Sequence, residues 1–205
     1  MPDTVRKTYK VKLQPTADQE QELERVVLLC RRLYHTALEQ RITAWQRSRV
    51  SVSRYHQDAE LKAIRDAFSE YAAIPSHVLQ DVLARLDKTS QVFFRRVQRG
   101  EQAGFPRFKG RDRCHSFTYK EFGNGARLDN GFLVLATIGR IAVRWSRPLE
   151  GTPKTVTVRR EADGWYVTSS CAEVPVTPVP KCQCPPCRLQ VRRRVLISAW
   201  SPLPR

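Results

Sequence analysis

The sequence predicts an α+β fold: a small antiparallel β-barrel, interrupted by an inserted set of three helices and followed by a disordered basic tail. Three observations predict it. Apolar and basic residues alternate over residues 5–15, apolar residues then recur at helical spacing to about residue 98, and from residue 115 the period of two returns. An isolated strand cannot bury its face, so the first strand, Val5–Leu13, belongs in one barrel with residues 115–174, with the helices between.

The opening stretch "VRKTYKVKLQP" sets Val5, Tyr9, Val11 and Leu13, with Lys7 at the same parity, against Arg6, Lys10 and Lys12. It reads as a half-buried strand with a cationic outer face. Pro15 ends it, and Thr16 followed by Gln19 forms a capping box for the first helix. The stripe Leu23, Val26, Val27, Cys30, Leu33, Ala37, Leu38, Ile42 and Trp45 carries that helix to about Arg47 with no Gly or Pro inside it. A second helix spans Tyr55 to Phe68. Ser76 is a natural N-cap for a third, which runs from His77 to about Gln98 on Leu79, Val82, Leu83, Leu86, Phe93, Phe94 and Val97. Arginines including Arg41, Arg85, Arg95, Arg96 and Arg99 fall on the helices' polar faces, where they serve as a solvated surface or as phosphate contacts.

The stretch "GEQAGFPRFKGRDRC" is a loop, and the strands after it turn at "DNG" and "ADG", where Asn or Asp beside Gly supplies positive φ. In "GFPRFKGR", Phe105 and Phe108 alternate with Arg107, Lys109 and Arg111. Such interleaving stacks bases and holds phosphates, or it anchors a helix-to-strand corner with the rings inward and the cations outward.

A chain of 205 residues suits one sizeable domain or two small ones sharing a core. Its 36 Lys and Arg against 20 Asp and Glu give a net charge of +16. Six cations in residues 181–205 account for +6 of that, leaving +10 on the body. A body so basic points to a polyanion, nucleic acid above all. No apolar run approaches the ~18 residues of a membrane span, and the N-terminus lacks a secretory apolar segment. Six cysteines without an export signal imply free thiols in a reducing compartment, hence a cytoplasmic protein, nucleoid-associated when bound. Cys30 and Cys171 read as small core residues.

Four blocks, "YKVKLQPTADQ", "VLQDVLARLDKTSQVFFRRV", "GFPRFKGR" and "VTVRREADGWYVT", occur in the order seen in the OrfB/TnpB family of insertion-sequence transposases, which the chain resembles over about Arg6 to Val176. The resemblance implies a barrel ("wedge") domain of residues 1–14 and 104–176. It also implies a helical recognition insertion of residues 15–103, described in that family as a helix-turn-helix. Family members resemble type V CRISPR effectors, so the implied partners are DNA and a transposon-encoded guide RNA, with no membrane. Base pairing then reads the target, and protein reads the flank and the backbone. By resemblance, Arg6, Lys7, Lys10 and Lys12 of the strand and Phe105, Arg107, Phe108, Lys109 and Arg111 of the loop line the nucleic-acid channel. Arg85 joins them as a phosphate contact. Gln80, early in the third helix, faces the flanking duplex, where glutamine bonds an adenine edge, or is an ordinary exposed position.

Nuclease activity in the family comes from a ribonuclease-H-like domain whose first strand carries Gly-(Ile/Val)-Asp-x-Gly. Two-metal hydrolysis needs converging carboxylates. At that place this chain reads "KCQCPPCRLQVRRRVLISAWSPLPR", with no Gly, Asp or Glu. The expectation is a truncated, non-catalytic nucleic-acid binder with no cofactor and no metal site, whose residues 177–205 are disordered and translated out of frame. The triplet Cys182, Cys184 and Cys187 lacks the second ligand pair of a structural zinc site. The alternatives are a helix-turn-helix DNA binder, which needs a turn that residues 16–47 do not offer, or a non-functional pseudogene product.

Overall fold

The computed structural model describes residues 4–110, 113–129, 131–145 and 149–175. Its order is β1 (Thr4–Gln14), α1 (Ala17–Ser48), α2 (Arg54–Ala67), α3 (Ser69–Ala72), α4 (Ser76–Gln98), then β2 (Ser116–Tyr119), β3 (Ala126–Asp129), β4 (Phe132–Leu135), β5 (Gly139–Arg144), β6 (Thr152–Glu161) and β7 (Gly164–Pro175). The expected tail, 177–205, lies outside the described residues, as does Arg111.

All seven strands form one antiparallel sheet in the order β2-β6-β7-β1-β5-β4-β3. β1 has found partners on both sides. Most of it pairs with β7, from Thr4 opposite Pro175 to Lys12 opposite Tyr166, and its end, Lys12 to Gln14, faces β5. The sequence-distant ends of the fold are thus tied together through its first strand, as the split-sheet reading expects. The sheet is curled but not a closed barrel: β2 and β3 both end it. Its curl brings the β2 edge within side-chain reach of the β4–β5 turn, where the Tyr119 and Thr137 hydroxyls lie 3.4 Å apart.

The Thr16 capping box is present, with Gln19 N–H donating to Thr16 Oγ1 and Thr16 N–H to Gln19 Oε1. Gln19 Nε2 then reaches the Arg140 carbonyl at 2.8 Å, so the cap also fixes α1 to β5. α1 runs unbroken for 32 residues and stops at Arg49, whose φ of 55° is left-handed. α4 departs from expectation at its start: Ser76 is inside the helix, Pro75 holds the cap position, and no side chain caps it. A short extra helix, α3, makes the α-helices among the described residues four rather than three.

One cluster of buried side chains runs through helices and sheet, including Leu23, Leu33 and Leu38 of α1, Leu79, Leu83 and Leu86 of α4, and Phe117, Leu133, Ile141, Val158 and Trp165 of the sheet. Cys30 and Cys171 are buried, as expected. The apolar stripes run past this core. Trp45 is 53% exposed, Phe94 54% and Val97 50%.

Candidate nucleic-acid interface

The loop of residues 101–110 has no regular structure, yet it is pinned. His35, midway along α1, places Nε2 3.0 Å from the Lys109 amide N and 2.9 Å from its carbonyl O. One ring nitrogen thus accepts from the amide or donates to the carbonyl, according to where its proton sits. Phe108 packs edge-on against the His35 ring at 5.4 Å, and the Lys109 ammonium lies 4.3 Å from the centre of the Tyr34 ring. Burial is the main reason the Tyr34 phenol is raised above its usual pKa. At the loop's other end Phe105 packs edge-on against Phe93 of α4, 5.2 Å away. Pro106 is buried between these anchors while Arg107 stays exposed, with no carboxylate partner among the described residues. The rings anchor the corner and are only half covered: Phe105 is 46% exposed and Phe108 51%.

On β1 the alternation places Tyr9, Val11 and Leu13 inward, with Arg6 and Lys10 outward and Lys12 half-buried. A register shift between Val5 and Lys7 turns Lys7 to the end of the sheet, where it meets Glu150 at 2.8 Å. That partner raises the Lys7 pKa. Lys10 pairs with Glu161 and Lys12 with Asp163, at 2.7 and 3.1 Å, and both ammoniums lie against the Tyr166 ring. The Tyr166 hydroxyl and then Lys12 hold the Asp163 carboxyl below its usual range. The cationic strand is thus largely matched by acids from β6–β7 and the segment before β6, and Arg6 alone of its four expected contacts has no such partner among the described residues. Among the described residues, strand and loop share no partner.

The helical candidates divide. Gln80 is exposed on α4. Arg85 is half-buried: it pairs with Asp81 at 2.7 Å and donates to the Ser116 carbonyl and the Thr118 hydroxyl, fastening α4 to β2. Arg41, expected on a polar face, is 11% exposed, and its guanidinium joins Gln57 of α2 to Asp87 and Ser90 of α4. Arginines spent inside the fold are indistinguishable from exposed ones by helical spacing alone. Residues that spacing did not reveal are His35 and Tyr34, which hold a loop some seventy positions away.

Residues 1–49 match the family model HTH_OrfB_IS605, described as "Helix-turn-helix domain". Here the described residues of that span form one strand and one continuous helix. The chain is 35% identical over 190 residues to a protein of Streptomyces pristinaespiralis named "Putative RNA-guided DNA endonuclease", a match covering 88% of this chain and 44% of the relative. It is 27% identical over 188 residues to "Putative RNA-guided DNA endonuclease InsQ" of Escherichia coli (strain K12), covering 83% and 42%. The chain spans less than half the length of these curated relatives.

Proposed function

Since the chain belongs to the OrfB/TnpB family of insertion-sequence proteins, we propose that its described residues are a gripping module that holds DNA and a transposon-encoded guide RNA by their phosphates. The observation that carries this reading is the pinned loop: Arg107, with no acid partner among the described residues, stands between two half-exposed phenylalanines, where Phe93 packs on the Phe105 ring and His35 holds the Lys109 backbone. A cation on a fixed backbone meets a phosphate at less entropic cost than one on a mobile loop. Gln80 is assigned to the flanking duplex, and Arg6 and the paired lysines of β1 to the backbone of the second nucleic acid, exchanging their acids for phosphate.

The module grips and does not cut. Its carboxylates are dispersed and held by cations, Asp81 by Arg85, Asp87 by Arg41, Glu161 by Lys10 and Asp163 by Lys12, rather than converging on one point. The acid-free composition of residues 181–205 supports a shift of reading frame ahead of the strand that carries the relatives' catalytic acid. Translating the neighbouring nucleotides in the other frames tests this, and finding no Gly-(Ile/Val)-Asp-x-Gly there refutes it. The proposed compartment is the cytoplasm, at the nucleoid; no helix among the described residues is long and apolar enough to cross a membrane.

The decisive measurement is salt dependence. Affinity for a duplex and for a hairpin RNA should fall steeply as salt rises, and Arg107→Ala should lower the slope of log K against log salt by about 0.9 for duplex. A slope near zero for both nucleic acids overturns the reading.

A further inference from the structure

The stripes that outrun the core leave a cleft of about 730 Å³ between the C-terminal parts of α1 and α4. Trp45 of α1, Phe93 and Phe94 of α4, and Phe105 of the loop line it, with Val50 at its side. The Phe93 ring is edged by Phe94 and by Phe105, each 5.2 Å away. At the base lies the Arg41–Asp87 pair, to which Gln91 donates at 2.7 Å. The amide oxygen of Gln91 has no partner among the described residues.

We propose that this cleft takes an unstacked nucleobase of a single-stranded nucleic acid. Three features select that occupant over an apolar peptide. Its rings are rigid flat faces, on which any base stacks regardless of sequence. Polar groups at the lining, Gln46, Ser51 and Gln91, match the donors and acceptors of a base edge and would be stranded under an apolar helix. Cations stand near as well: the Arg49 guanidinium rests 5.7 Å from the Trp45 ring, Arg47 and Arg95 lie in the last turns of α1 and α4, and none of the three has a carboxylate partner among the described residues. The volume lies within the roughly 300–1,000 Å³ of sites for small organic ligands, enough for an unpaired base and too little for a duplex. This deepens the gripping reading and fails separately from it.

The test compares a labelled oligo-dT strand with a strand of equal length whose bases are replaced by abasic sugars, by fluorescence anisotropy. Wild type should prefer the base-bearing strand. Trp45→Ala and Phe94→Ala should each weaken that strand roughly 5- to 150-fold, leave the abasic strand and the salt slope unchanged, and Trp45→Phe should restore most of the loss. Both side chains are about half exposed, so denaturation midpoints should stay at the wild-type value. Equal affinity for the two strands, with a steep salt slope, overturns the base site and leaves phosphate gripping intact; binding of neither strand removes both. Quenching of Trp45 by iodide that changes with protein dilution would assign the cleft to a second copy and likewise overturn the proposal.

Discussion

Replacing Arg41 by alanine should destabilise the fold by about 3 kcal/mol. The guanidinium donates to Gln57 Oε1 at 3.0 Å, to Ser90 Oγ at 3.2 Å and to Asp87 Oδ1 at 3.3 Å. Gln57 is 3% exposed, and its own amide nitrogen is committed to the Ala37 carbonyl and to Gln40. It cannot turn to find another donor, so its oxygen would stay buried and unpaired, at a cost of roughly 1–3 kcal/mol. Asp87 is 25% exposed, so water recovers part of its loss, which holds the total to the lower end of the roughly 3–5 kcal/mol seen when a buried pair loses one member. For a chain of this size, a midpoint drop of about 6–12 °C follows. Urea denaturation followed by far-UV circular dichroism measures it, with Lys10→Ala as the control, since the exposed pair with Glu161 contributes at most about 1 kcal/mol. Arg41→Lys should recover less than half, because one ammonium cannot bridge three acceptors set around a planar fork. A loss within about 0.5 kcal/mol of wild type would refute the view that Arg41 ties the three long helices together.

Gln19→Ala removes both a capping bond and the link to the Arg140 carbonyl, and should cost about 1–2 kcal/mol in the same denaturation assay. Gly151 has φ +77°, and a Cβ there would press on the Ala172 carbonyl oxygen and lie 2.8 Å from Val174 Cγ2; Gly151→Ala should therefore lose roughly 1–3 kcal/mol, seen as a lowered thermal midpoint. Alkaline pH should also destabilise. Burial pushes the Cys30 thiol from 9.0 to about 12 and raises the Tyr34, Tyr71 and Tyr119 phenols above 10.0. Below pH 9 both folded and unfolded chains hold these protons. As pH climbs from about 9 toward 12 the unfolded chain releases them first, so stability falls, and a denaturation midpoint flat to pH 11 would contradict it.

What the sequence made legible follows from the range of each signal. The capping box and the unbroken stripe of α1 are local, and both stand as expected, as does the "ADG" turn that joins Glu161 to Gly164. The return of β1 to the later strands was readable because an apolar face needs a partner. Sheet closure was not: alternation fixes which side of a strand is buried and is silent on whether β2 and β3 bond each other. Likewise Arg41 and Arg85 looked like surface cations, because the acids that hold them come from another helix or from a neighbouring turn. Gln57 was unreadable for the same reason, a polar residue inside the fold whose partners lie on a different helix.

The most informative mismatch concerns residues that obey helical spacing and yet stay exposed. Buried positions of α1 end at Leu38, and those of α4 at Ser90. α1 continues ten residues further to Ser48, about 15 Å, and α4 continues eight to Gln98. Over these overhangs the stripe goes on, through the exposed Trp45 on one helix and the part-buried Phe93 and exposed Phe94 and Val97 on the other. Helices held only by propensity are marginal in water, so two overhangs that keep large aromatic residues carry exposed surface that nothing in the core requires. Core packing explains the stripe through Ile42 on α1 and Leu86 on α4; burial gives no reason for an aromatic residue over a lysine at the exposed Trp45 and Phe94. Arginines in the last turns complement the helix dipoles, but the same end holds Phe105 and Arg107 on a loop fixed by His35. Aromatic faces, a pinned backbone and cations that have no carboxylate partner among the described residues thus stand together at the end of the helical layer to which the proposal assigns its nucleic-acid partner.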